Sequence, residues 1–263
     1  MLLRQAGDDV IAIGQPAHAW LSGQLARAWG NERFGVLEPW EEVCLAAEQH
    51  DVGMAAWERR PALNPQTGLP RSFMELELDD HLEIWWSAAP LVVPQSRYAA
   101  LLVSLHGSAL YERRDLTRLE PADVARVHAF LDGQRELQTH LLADLRADPR
   151  TAASAAEELV RRNRQLVWTW DSLSLGLLLG WEPFELAAVP AADGVVDVAV
   201  RAGPGGAITL DPWPFGAARL TARCEGRRLR GRFDDEATMQ DALAAAPWVT
   251  LELELLEANS DAA

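Results

Sequence analysis

Apolar residues recur at intervals of three and four from about Pro16 to Trp181, the spacing that lines one face of an α-helix. From about Gly194 onward the pattern changes to alternation broken by Gly and Pro, the spacing of strands and turns. The first stretch predicts helices over 16–29, with Pro16 at a favoured first-turn position, 39–50, closed by Gly53, and then 76–86, 98–111, 121–146 and 154–179. The second predicts a hairpin of 195–202 and 207–210 turning at Gly203-Pro204-Gly205-Gly206. A second hairpin of 218–224 and 227–233 is predicted to turn at Glu225-Gly226, followed by a helix over 235–246 and a half-buried strand over 249–256. The expected architecture is mainly α, a helical core over 1–190 with a small C-terminal α+β appendage over 191–263 packed on it. Gly203 to Gly206 lack the Lys-Ser/Thr and helix that a phosphate cradle needs, so they read as a turn. The composition of 258–263 predicts a disordered tail.

Helical spacing also puts several ionisable residues on faces it marks as buried. His18 shares a stripe with Leu21, Ser22, Leu25 and Trp29; His106 with Leu102, Val103 and Leu110; Asp171 with Val167, Trp168, Ser174, Leu175 and Leu178. His50 and Asp51 end a helix whose inner face is Val43, Ala46 and Ala47, and His81 lies three residues after Leu78 and just before Ile84 and Trp85. Burying one uncompensated carboxylate or imidazolium costs several kcal/mol, comparable with the stability margin of a domain, so a group of them calls for a shared counter-charge. A divalent metal supplies it, and imidazole and carboxylate donors without thiolate point to one or two ions of Fe, Mn or Zn. Taken singly, each residue has a plainer reading. A lone inward His is more often a core histidine donating to a carbonyl, Asp171 can pair with an Arg such as Arg97, and His81 in Asp79-Asp80-His81 can be a solvated helix start. His128 and His140, with acidic turn neighbours, read as ordinary surface histidines.

Composition narrows the partners. The 263 residues are enough for one large domain or for a domain with an appendage. The net charge is -15, and all 24 basic residues are Arg, a balance that disfavours non-specific phosphate-backbone binding and so excludes nucleic acid as an expected partner. Cys44 and Cys224 are far apart, which indicates neither a disulfide framework nor a thiolate zinc site. No apolar run has the length of a membrane span or signal peptide, so a soluble cytoplasmic protein is expected, working on a small molecule without a membrane. Oligomeric state is not legible.

The order His18, then His50-Asp51, then Asp171, on successive helices, resembles the H...HD...D signature of the HD superfamily, known for metal-dependent phosphohydrolases. Gln15-Pro16-Ala17-His18 with Trp29-Gly30-Asn31, Ala47-Glu48-Gln49-His50-Asp51-Val52-Gly53 with Trp57, Leu101 to Gly107 and Trp170 to Leu175 resemble one bacterial family of unknown function within it. That resemblance implies a helical HD-type core with a metal held by His18, His50, Asp51 and Asp171. It also implies a second metal if His81 and His106, which fall between the HD pair and the last Asp, take part, with Asp51 as the bridge. The GYP string of the cyclic-dinucleotide phosphodiesterases is absent. The implied activity is hydrolysis of a small phosphate ester, with Asp51 and His106 at the reaction centre and Arg59, Arg60 and Arg97 as substrate-binding candidates. Two alternatives remain open: a di-iron oxygenase acting on a small polar substrate, its pocket walled by Trp residues, and a metal-binding domain without catalysis.

Overall fold

The structure is a computed structural model that describes residues 1–258. The disorder expected from composition at 259–263 lies outside the described residues. The chain opens with a hairpin, β1 (Leu2–Ala6) and β2 (Asp9–Ile13), in which Ala6 faces Asp9 across the two-residue loop Gly7-Asp8. Gly7 sits at φ 69°, a conformation glycine reaches without steric cost and hairpin loops of this length require. The helices follow: α1 (Gln15–Ala28), α2 (Trp40–Gln49) and the single turn α3 (Met54–Trp57). A two-residue ribbon of β3 (Leu63–Asn64) and β4 (Leu69–Pro70) leads to α4 (Leu78–Val92), α5 (Arg97–Glu112), α6 (Pro121–Ala147) and α7 (Glu157–Leu179). The chain closes with β5 (Phe184–Pro190), β6 (Val195–Ala202), β7 (Ile208–Asp211), β8 (Arg219–Leu229), α8 (Glu236–Ala245) and β9 (Trp248–Glu257). No helix among the described residues is long and apolar enough to cross a membrane.

The expectation of a mainly α fold with a small C-terminal appendage is overturned. Seven strands form one mixed sheet in the order β1-β2-β8-β9-β7-β6-β5, antiparallel throughout except for the parallel pair β7 and β9. The sheet is closed from both ends of the chain, because the N-terminal hairpin adds to β8 through Val10, Ile11 and Ala12. β2 escaped the pattern for a physical reason. Ile11 and Ile13 join the main core, while Val10 and Ala12 join a second, smaller core with Met1, Leu69, Leu229 and Leu243. A strand covered on both faces shows a continuous apolar run and no alternation.

The second predicted hairpin is also corrected: Glu225 and Gly226 lie inside one continuous strand, β8, paired with Thr250 and Val249 of β9. Gly226 is there for close approach, since a Cβ would stand 2.6 Å from Ile11 Cγ2. The remaining expectations hold within a few residues, although α4 runs on through Pro90 to Val92.

The helices pack on the sheet so that α1 touches α2, α7 and β8, and α7 touches α5, β1 and β5. Ser22 on α1 and Ser174 on α7 share a buried hydrogen bond of 2.8 Å that fixes the two helices in register. Substituting Gly226→Val forces β2 away from β8 and is expected to destabilise the fold by about 1–3 kcal/mol in urea denaturation, as overpacking does. An unchanged midpoint would mean that the N-terminal hairpin is not held against β8.

Candidate metal centre

His18 lies one turn into α1, directly after the β2-to-α1 junction at Gly14, and is fully buried. His50 is the C-cap of α2 and Asp51 follows it. Between Gln49 and Ala55 the backbone bonds run three residues back, Val52 to Gln49, Met54 to Asp51 and Ala55 to Val52, which tightens the chain and brings both neighbours to one side. Gly53, expected from sequence to close the helix over 39–50, has ordinary helical angles. Its role is steric: a Cβ would stand 2.4 Å from the Ile84 carbonyl oxygen, so only glycine lets this turn rest on α4. His106 comes from the middle of α5 and Asp171 from the middle of α7, both buried.

These five side chains meet. Ligand atoms of His18, His50 and Asp51 lie within 4.8 Å of one another, and so do those of His50, His106 and Asp171. His50 Nε2 is 3.5 Å from Asp51 Oδ2 and 3.4 Å from Asp171 Oδ1, and His18 Nδ1 is 3.8 Å from Asp51 Oδ2. His106 Nε2 stands 3.7 Å from Asp171 Oδ2. The rings of His18 and His106 each meet that of His50 edge-on, with centroids 5.1 and 5.0 Å apart. Both triads use His50. Its Nδ1–H donates to the Ala47 carbonyl at 2.8 Å, which leaves Nε2 as the one free nitrogen, so the two triads describe a single site.

The hydrogen bonding leaves the cluster incomplete. His18 Nδ1, His50 Nε2 and His106 Nδ1 are all buried with no hydrogen-bond partner. Buried polar atoms are nearly always paired, and three orphan imidazole nitrogens beside two carboxylates require a cause. His18 Nε2 lies 2.9 Å from Ser174 Oγ and 3.2 Å from Asp171 Oδ1, contacts that place its proton on Nε2 and turn the Nδ1 lone pair inward. Bonds of about 2.0–2.2 Å from one cation to N and O donors hold those donors ~3–3.5 Å apart. The separations around His50 Nε2 match that spacing and are too long for good hydrogen bonds.

Electrostatics give the same sign. Burial pushes His18 and His106 down to about 3, which keeps both neutral. Burial also opposes the charged form of His50, yet the Asp51 charge and the contact with Asp171 lift it to about 9. Burial raises the Asp51 carboxyl, whereas Asp171, against the same burial, is held low by His50 and the other two imidazoles. Without a cation, the proton on His50 partly offsets the two carboxylates; a divalent cation that takes the place of that proton at Nε2 supplies the counter-charge instead.

The other predicted residues lie elsewhere. His81 belongs to neither triad. Its Nε2 accepts from Trp85 Nε1 at 3.1 Å, and its Nδ1 bonds the buried Tyr111 hydroxyl, so both nitrogens are used within the protein. Arg97 pairs with Asp148 at 3.3 Å, not with Asp171. Arg59 and Arg60 are exposed beyond α3, and Arg59 lines a cleft toward β8 and α8. None of the three arginines joins the cluster. His128 and His140 are exposed on α6, as expected. Sequence reasoning gave no role to Ser174 or the Ala47 carbonyl, although Ser174 already stood on the Asp171 stripe. Trp85 and Trp168 flank the His106 ring at 5.5 and 5.7 Å between centroids, while Trp170 is packed in the core against Trp29.

A buried His/Asp centre held at a junction of helices against a mixed sheet is the class of protein that this geometry defines. The chain matches the family described as "Protein of unknown function (DUF3891)" over residues 1–231, and it belongs to that family. The match takes in the N-terminal hairpin, the whole helical layer and the sheet as far as β8. No curated protein and no solved structure matches the chain.

Burial holds His81 down at about 4, below the usual histidine value of about 6.5. The unfolded chain therefore binds more protons between these values. The stability due to neutral His81 is complete above about 6.5 and is lost as pH falls toward 4. The His81→Gln variant is expected to keep its bound metal and to show a shallower loss of stability over that window in urea denaturation. Loss of metal in this variant would place His81 among the ligands.

Proposed function

We propose that the chain is a metal-dependent hydrolase of a phosphate ester or related small molecule, working through one cation held by His18, His50, Asp51 and Asp171, with His106 beside it. The arrangement resembles that of the HD superfamily. The observation that carries the reading is the convergence of two orphaned imidazole nitrogens, His18 Nδ1 and His50 Nε2, and two buried carboxylates, Asp51 and Asp171, from three helical segments. The donor set, imidazole and carboxylate with no thiolate, suits Fe, Mn or Zn. A cation bound there supplies Lewis-acid chemistry, polarising a phosphoryl oxygen and bringing the pKa of water to about 7.

The chain's own groups supply the remainder. The Ala47 carbonyl and the Ser174 hydroxyl hold the His50 and His18 rings in the tautomers that turn their lone pairs inward. Asp51 and Asp171 provide the negative charge. His106, neutral and packed between Trp85 and Trp168, faces Asp171 with Nε2 and is the group placed to accept or return a proton at the edge of the cluster. The Asp171 and Asp51 side chains keep 11% and 6% exposure while His18 and His50 keep none, so the cluster faces outward on its carboxylate side. Exposure on that side favours catalysis over a fully closed structural site. His81, engaged by Trp85 and Tyr111, weighs against the second metal that a di-iron oxygenase needs.

Protein purified without added metal is expected to carry about one transition-metal ion per chain, and His50→Ala and Asp171→Asn less than about a tenth of that. Phosphate release from a panel of small phosphate esters is expected to follow the metal content, falling at least ~100-fold in both variants. Full metal content in the variants would overturn the centre. Oxygen uptake by the loaded protein without phosphate release would overturn hydrolysis.

A further inference from the structure

A cleft of about 600 Å³ lies between α7 and the β5–β6 turn, and four arginines, Arg113, Arg161, Arg162 and Arg164, line it. Glu158 is the one acid among its lining residues. In a chain of net charge -15 this is a concentrated reversal of sign. Arg162 has a structural use, donating to the Phe34 and Val36 carbonyls at 2.7 and 3.3 Å. The other three are not accounted for in this way. Arg161 is exposed and forms no salt bridge among the described residues. Arg113 donates to Gln165 Oε1 at 2.9 Å and lies flat over Trp168, 3.8 Å from the ring centroid, with no carboxylate partner. Arg164 is bonded to Glu112 through one nitrogen, but its Nε is a buried donor with no partner.

Two further features tie this cleft to the metal centre. A neighbouring cleft of about 440 Å³ shares Arg113, Gln165 and Ala188 with it and is floored by Trp168 and Ser172, the residue next to Asp171. Ala188, on the shared lip, has φ 52°, the one non-glycine residue with positive φ among the described residues. Such strain persists where the surroundings impose it, commonly at ligand sites. Along α7, Arg164, Trp168 and Asp171 stand at i, i+4 and i+7 on one stripe, with the Cα positions of Arg164 and Asp171 ~10 Å apart along the helix axis.

We propose that Arg113, Arg161 and Arg164 bind a second phosphate group of the substrate, which makes the substrate an elongated molecule with one phosphate group on the arginines and another at the metal centre. The planar guanidinium forks recognise phosphate oxygens in pairs, and the Trp168 face beneath Arg113 offers a surface for the connecting part of the molecule. This specificity rests on the hydrolase reading, but the anion site is tested apart from it.

The test is calorimetric titration of the protein as purified, its metal content matched between wild type and variants, with inorganic pyrophosphate at about 150 mM salt, where weak surface attraction is screened. Wild type is expected to bind with Kd below about 1 mM, and Arg161→Gln and Arg113→Gln each to weaken binding at least ~10-fold. Both side chains are at the surface of the cleft and their removal leaves the fold intact, which circular dichroism verifies. No binding by wild type, or equal binding by both variants, would overturn the site. Citrate binding as tightly as pyrophosphate would overturn the assignment to phosphate. If pyrophosphate binds as stated but no ester is hydrolysed, the hydrolase reading fails and the anion site stands.

Discussion

Two carboxylates and three imidazoles are withdrawn from water at one point, and without compensation that arrangement would not persist. An ionised group moved into the interior costs several kcal/mol even after relaxation, and two would consume most of the ~5–15 kcal/mol by which a domain is stable. Hydrogen bonds meet only part of the need, because His18 Nδ1, His50 Nε2 and His106 Nδ1 find no partner. A divalent cation in the proposed place would answer both deficits at once, offsetting the carboxylate charge and taking the lone pairs of His18 Nδ1 and His50 Nε2. Helix positions, backbone turns and serine contacts around the cluster all serve that geometry.

The cluster depends on elements remote in sequence. α1 is aimed by the β2 strand that precedes it, and β2 is fixed by pairing with β8, more than 200 residues later in the chain. Ser22 and Ser174 lock α1 to α7, so that His18 and Asp171 face each other. The tightened turn after α2 rests on α4 because Gly53 admits the Ile84 carbonyl. The sheet therefore positions the helices that carry the site and is not an addition to a finished helical domain.

Much of the site was legible in the sequence, because helical spacing alone shows which ionisable residues point inward. His18, His106 and Asp171 stood out against apolar stripes, and the His50-Asp51 pair lay at a helix end. His81 stands outside both triads for a reason that spacing cannot reveal. It is inward-facing, but Trp85, one turn along α4, and Tyr111 on α5 satisfy its nitrogens. The sheet was less legible. Val10 to Ile13 are covered on both faces and show no alternation, and Gly226 is needed for a close strand contact that a sequence displays as a turn. The hairpin loop Gly7-Asp8 was the one local signal for the N-terminal strands. The arginine cleft is a tertiary property, since Arg113 at the C-terminal end of α5 and Arg161 and Arg164 on α7 meet only after the helices pack.

Anomalous scattering at a transition-metal edge, from crystals grown without added metal, tests the central claim most directly. The account predicts one peak, ~2.0–2.3 Å from nitrogens of His18 and His50 and from carboxylate oxygens of Asp51 and Asp171. Two peaks with His81 as a ligand, a peak away from these residues, or an ordered cluster in which the five side chains meet without any peak would contradict it.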